Sequence, residues 1–170
     1  MNVLLADHAH RVIKIPATSI RSIIGVEHAD LPDDKKGCKS ILRYDFGAGP
    51  MFAWLRTAAE QVMVQATKFA PAPWVPLTTT EGDDVYLLAP SIIATHGLDP
   101  DECAGANTRV DFDAFGDGRE IKFATVVETD DEIEAAKSVV EASLAEALQP
   151  KPAQSNSPRP ARRARNRAKR

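Results

Sequence analysis

Apolar and polar residues alternate in short runs along most of this chain, and the runs are separated by turn-forming residues, the pattern of half-buried strands. Val3-Leu4-Leu5 and Val12-Ile13-Lys14-Ile15 flank a polar turn at Asp7-His8-Ala9-His10, which predicts a hairpin that Pro16 ends. Ile20, Ile23 and Ile24 form a short apolar element, and Asp30 to Gly37 reads as a polar loop. Ser40–Phe46 and Met51–Leu55 make a second hairpin around Gly47, Gly49 and Pro50. A helix is predicted from Thr57 to about Phe69, with Ala58, Val62 and Ala66 along one side and Val64 at its flank. After the seam Ala70-Pro71-Ala72-Pro73 the pattern recurs. Trp74–Leu88 turns at Glu81–Asp84, Asn107–Phe112 pairs with Ile121–Val127, and a longer helix runs from Thr129 to about Leu148.

The recurrence is quantitative. At an offset of 72, Val3 and Leu5 fall on Val75 and Leu77, Ile13 and Ile15 on Val85 and Leu87, Ser19-Ile20 on Ser91-Ile92, and Gly25 on Gly97. Arg43-Tyr44-Asp45-Phe46 matches Arg109-Val110-Asp111-Phe112 at an offset of 66, and the offset returns to 72 where Thr57-x-x-Glu60 meets Thr129-x-x-Glu132. Each Thr-x-x-Glu run is a capping-box pattern, in which the Thr hydroxyl accepts a first-turn N–H and the Glu reaches back to the cap. The predicted class is α+β and β-dominated. It is a tandem duplication of a small β-barrel or meander unit, about four to five strands plus a C-terminal helix, followed by a disordered basic tail. The expected division is residues 1–69, a proline linker at 70–73, residues 74–148, and a tail at 149–170. Units of about 70 residues are near the lower limit for an independent core, so the two are expected to pack together.

The run Trp74-Val75-Pro76-Leu77-Thr78-Thr79, Gly82, Val85-Tyr86-Leu87, Ile92, Arg109-Val110, Val127-Glu128-Thr129 and Glu132-Ile133 resembles the FlbD-like (SwrD-like) domain, a small β-rich module of bacterial flagellar operons and phage-like elements. The resemblance covers residues 74–135 and, more loosely, 3–62. It implies a small barrel or meander closed by a helix and a bacterial or phage setting, and it supplies no catalytic residue.

Charge changes this picture at one end. Residues 1–150 carry 13 Lys and Arg against 24 Asp and Glu, net −11, while residues 151–170 carry eight Lys and Arg and no acid, net +8. From Gln149 onward no bulky apolar residue occurs, so the segment has nothing to bury and is expected to be disordered when free. Arg159, Arg162, Arg163, Arg165, Arg167, Lys169 and Arg170 make it a candidate for binding the phosphate backbone of DNA or RNA. The alternative is a protein–protein adaptor or assembly component whose tail grips an acidic protein surface. The body would then dimerise or dock a partner. No apolar run approaches about 18 residues and the N-terminus has no basic start, which leads to the expectation of a cytoplasmic protein with no membrane contact.

Candidate chemistry is sparse, and the chain is expected to be non-enzymatic, with no cofactor and no metal. His8, His10, Cys38 and Cys103 lack ligand spacing, and the cysteines read as reduced thiols. Asp111, Asp113 and Asp117 start like a calcium loop, but Phe115 and Lys122 stand where ligands are required. His28 and His96 have no sequence neighbour suited to general-base work. Tyr44, Phe46, Phe52 and Trp54 form the most suggestive aromatic group, read either as core or as a stacking face rimmed by Lys39, Arg43 and Arg56.

Overall fold

A computed structural model describes residues 1–149 except 48, 100, 102, 104, 116, 117 and 119. Over these residues the chain is β-dominated, with β1 (Asn2–Ala6), β2 (Val12–Pro16), β3 (Ile20–Gly25), β4 (Ser40–Asp45), β5 (Pro50–Leu55), α1 (Ala59–Phe69), β6 (Trp74–Thr78), β7 (Asp84–Leu88), β8 (Ile92–Gly97), β9 (Thr108–Asp113), β10 (Ile121–Val126) and α2 (Asp130–Leu148). No helix among them is long and apolar enough to cross a membrane. The segments around Ile20–Ile24 and Ile92 are full strands. Their β-branched content favours this, and each leaves a 3-10 turn pinned by a hydroxyl, Ser19 Oγ to the Pro16 carbonyl and Ser91 Oγ to the Leu88 carbonyl, both at 2.7 Å.

Of the expected barrel or meander, the closed barrel does not form. The strands make three sheets, ordered β1-β2, β10-β9-β8 and β5-β4-β3-β7-β6, and none closes on itself. The 3-10 turn at Ala17–Ser19 swings the chain away from β2, and the outer edge of β3 is taken by β7 from the second half, with Ser22 opposite Leu87, Ile23 opposite Tyr86 and Ile24 opposite Val85. Isolated bridges from Asp7 to Leu55 and from Thr79 to Val126 bring β5 and β10 back toward the first hairpin of each half without completing a ring.

Within each half the pairings are the same. β3 meets β4 from Ile20↔Tyr44 to Gly25↔Ser40 with a bulge after Ile20, and β8 meets β9 from Ile92↔Phe112 to Gly97↔Thr108 with a bulge after Ile92. Ser40 faces Leu55 as Thr108 faces Val126, and Val3 faces Ile15 as Val75 faces Leu87. These registers place β9 68 residues after β4, not 66 as the Arg-x-Asp-Phe match requires. Arg43-Tyr44-Asp45 therefore stands where Asp111-Phe112-Asp113 stands. A slip of two leaves every side chain on its own face, so the apolar pattern alone does not detect it.

The helix starts differ by a similar margin. At the second, Thr129 caps α2 with a complete capping box: its N–H donates to Glu132 Oε2 at 2.8 Å and its Oγ1 accepts from the Glu132 N–H at 3.4 Å. At the first, the cap is Ala58 and no side chain bonds the open N–H groups, so the expected Thr57 box is absent. Val62 N–H reaches Ala58 O as Ile133 N–H reaches Thr129 O, an offset of 71 that puts Thr57 in the place of Glu128. The buried residues of α1 are accordingly Ala59, Val62 and Ala66, while α2 buries Ile133 and leaves Val139 and Leu148 exposed.

Two cores result, and each crosses the seam. The first holds Val3, Leu5, Ile15, Ile20, Ile23, Leu42, Leu55 and Val62 together with Trp74 and Tyr86 of the second half. The second holds Val75, Leu77, Val85, Leu87, Val110, Phe112, Val126 and Ile133, with Ile24 of the first half packed against it. Burial, reinforced by the nearby Asp84 and Glu60 carboxylates, pushes the Tyr86 hydroxyl up to about 12. The joint is locked at its end by Asp83, whose buried carboxylate accepts from the Glu27 N–H at 2.9 Å, the His28 N–H at 3.2 Å and bonds His28 Nδ1 at 3.0 Å. A Cβ on Gly25 would lie 2.9 Å from the Asp84 carbonyl oxygen and 3.1 Å from its nitrogen, so only glycine lets the two backbones approach.

Two outcomes are expected from chemical denaturation. Thr129→Ala lowers stability by about 1 kcal/mol, whereas Thr57→Ala is close to neutral, since only the former hydroxyl caps a helix. Gly25→Ala costs about 1–3 kcal/mol, because both atoms that it meets belong to a paired backbone and cannot move aside; an unchanged midpoint would mean that β3 and β7 are not in contact.

Candidate functional site

The strongest sequence-level site, Arg159 to Arg170, lies outside the described residues. The body is therefore judged on how it disposes of its own cations. Arg11 pairs with Asp7 at 2.7 Å, Lys35 with Asp34 at 2.9 Å, Lys36 with Asp33 at 2.6 Å, Lys39 with Glu27 at 2.9 Å, Arg109 with Asp111 at 2.8 Å, Lys122 with Glu120 at 2.8 Å and Lys137 with Glu134 at 2.8 Å. Surface pairs of this kind contribute little stability, but each acid offsets the attraction that its cation presents to a distant polyanion. Arg56 is held over the first turn by Nε donating to the His8 carbonyl at 3.3 Å. The expected basic rim of Lys39, Arg43 and Arg56 is thus dispersed.

The four aromatic residues do not share a face. Cross-strand partners project together, and in the β4–β5 hairpin Tyr44 opposes Met51, Arg43 opposes Phe52 and Ile41 opposes Trp54. Tyr44 turns inward to the first core, its ring centroid 5.0 Å from that of Phe46 beyond the strand end and tilted 59° to it. Phe52 and Trp54 turn outward beside Arg43, with Phe52 63% exposed. The aromatic group is divided, Tyr44 inward and Phe52 and Trp54 outward, because a hairpin with Asp45 opposite Pro50 sets even positions of one strand against odd positions of the other, while Phe46 past the strand end is exposed.

The surface pair opens on a feature that sequence reasoning missed. Ile41, Arg43, Phe52 and Trp54 from the first half and Phe115, Glu120 and Lys122 from the second line a cleft of about 320 Å³. Arg43 is its distinctive group: its Nη1 is buried without a hydrogen-bond partner, and burial lowers its pKa below the usual guanidinium range, against the opposing pull of Glu120. Nothing in the sequence brings Arg43 near Glu120, 77 residues later. The fold of the second hairpin against the first does so.

Elsewhere the candidate groups serve structure. Asp111 accepts from Arg109 Nε at 2.8 Å and meets His96 Nε2 at 3.3 Å; hydrogen bonding to Arg109, aided by His96, holds its carboxyl below the usual range against a smaller opposing effect of burial. Asp113 caps its own turn through the Phe115 and Gly118 N–H groups. Asp117 lies outside the described residues. His28 and His96 thus do have carboxylate partners, Asp83 and Asp111, supplied across strands. Cys38 is buried, its thiol pKa raised by that burial, and Cys103 is half-buried. Among the described residues no group of three or more His, Cys, Asp or Glu is placed to hold a metal ion.

An unsatisfied buried donor costs about 1–3 kcal/mol. Arg43→Met is therefore expected to raise stability by about 1 kcal/mol in denaturant titrations, and a loss of stability would show that Arg43 is structurally engaged. No protein-family model, no curated protein and no solved structure matches this chain.

Proposed function

We propose that this is a non-enzymatic accessory protein of bacterial or phage type, in which the Arg-rich tail binds the phosphate backbone of DNA or RNA and the folded body associates with itself or with a protein partner. The observation that carries this reading is the separation of charge, −11 over residues 1–150 and +8 over 151–170. The pairing of seven body cations with acids supports it, since their attraction for a polyanion is offset locally while the tail carries no acid. A tandem duplication followed by acquisition of a basic extension accounts for the recurring registers and the abrupt change at residue 150. A cytoplasmic location fits such a partner.

A second reading is an adaptor whose tail grips an acidic protein. It draws support from outward apolar side chains on the sheet faces, Phe52 at 63% and Phe123 at 61% exposure, the latter with the Arg109 guanidinium 4.5 Å over its ring.

Truncation after Leu148 separates the two. Nucleic-acid binding is expected to disappear with the tail while the circular dichroism of the body is retained. Affinity of the full chain for single strands should fall with salt along a log–log slope no steeper than about −5 to −6, the limit for eight cations, with little sequence preference. Equal oligonucleotide binding by the truncated body would move the site to Arg43, Phe52 and Trp54. Binding by neither form at low salt would leave the adaptor.

A further inference from the structure

The contact that joins the two halves is available a second time and is not used within the chain. β3 takes β7 on its outer edge. The register identities of the two halves make β8 the counterpart of β3 and β2 the counterpart of β7, and among the described residues each of these two strands has one edge unpaired: β2 bonds only β1, and β8 only β9. Exposed edges are templates for another strand. We infer that the free edge of β8 pairs with the free edge of β2 of a second copy of this chain, in the register of the internal joint, so that copies associate head to tail. This specifies the self-association given to the body above and holds whatever the tail binds.

Three observations support a second copy as the occupant. Carrying the β3–β7 register over by 72 residues sets Ala94 opposite Ile15, Thr95 opposite Lys14 and His96 opposite Ile13 of the neighbour. Gly25 then becomes Gly97. At Gly25 an added Cβ would strike the Asp84 backbone, but at Gly97 the nearest atom is Asp130 Oδ2 at 3.6 Å, and its backbone is not among the positive-φ glycines. Among the described residues nothing near Gly97 requires glycine, whereas the carried-over register sets it beside Val12 of a neighbour's β2. The charges also match. Tyr86, which feels Glu60 of α1, is replaced by exposed Lys14, and Glu60 by exposed Asp131 of α2, so a neutral phenol near an acid becomes a cation facing an acid.

The arrangement is heterologous, so each copy retains one free β2 and one free β8 and association does not stop at two. Sedimentation of the full chain over a concentration series is expected to show species beyond the dimer. Gly97→Ala is expected to remove them without altering the thermal unfolding of the chain, as nothing in the monomer opposes the added methyl. Lys14→Glu is expected to weaken association at least about tenfold through like-charge contact with Asp131, and Lys14→Glu with Asp131→Lys to restore it. A chain that stays monomeric at all concentrations overturns the inference and leaves Lys14 as an ordinary guard of an edge strand. Association that survives Gly97→Ala but vanishes at high salt also overturns it, since tails would then be holding acidic bodies.

Discussion

Three residues of β3, Ser22 to Ile24, carry hydrogen bonds and side chains to Val85–Leu87 of β7, and from that short contact the remaining architecture follows. It spends the edge that would otherwise turn each half toward a closed ring, so the strands settle as three open sheets. It places Tyr86 in the first core and Ile24 against the second, so neither half completes its apolar interior alone. Its tolerance is small, for the Asp84 backbone comes within methyl-group contact of Gly25 and the buried Asp83 carboxylate is satisfied by the Glu27 and His28 main chain and the His28 ring beyond β3. Removing one partner from such a charge-assisted set leaves the other buried and unmatched, which penalises any displacement of the halves.

Much of this was open to reading in the sequence because strands advertise themselves by alternation and helices by their caps. The two first hairpins, both later hairpins and both helices lie where the pattern puts them, and Thr129 caps as its box prescribes. The errors have a common physical origin. A register displaced by two residues keeps Ser40, Leu42 and Tyr44 inward and matches them as well to one set of partners as to another, so the side-chain pattern could not separate Arg43 over Arg109 from Arg43 over Asp111. Only main-chain pairings, with the bulges after Ile20 and Ile92, resolve it. At the first helix Thr57 invited a capping box that the backbone places one residue too early.

The cleft was illegible for a different reason. Arg43, Phe52 and Trp54 share a face because of the turn length between β4 and β5, and Phe115, Glu120 and Lys122 join them because of the way the second half is hung on the first. Neither is a local property. A guanidinium with a buried, unpartnered Nη1 beside two outward aromatic rings is a costly arrangement for a residue that methionine could replace, and such costs concentrate where a surface has a use.

The joint inside the chain and its proposed intermolecular counterpart differ in a way that suits different tasks. Inside the chain, Ile23 faces Tyr86 and both are buried, and the linker through Ala70–Pro73 keeps their effective concentration high, so the contact is permanent. In the proposed intermolecular version Thr95 would face Lys14, with Asp131 opposite Lys14. Charged groups at an exposed edge contribute register and salt sensitivity more than affinity, and they must work against the repulsion of bodies that each carry −11. A polyanion gathered by the +8 tails would raise the local concentration of bodies and screen that repulsion, so that weak edge pairing and tail binding reinforce each other through proximity alone, with no change of shape in either.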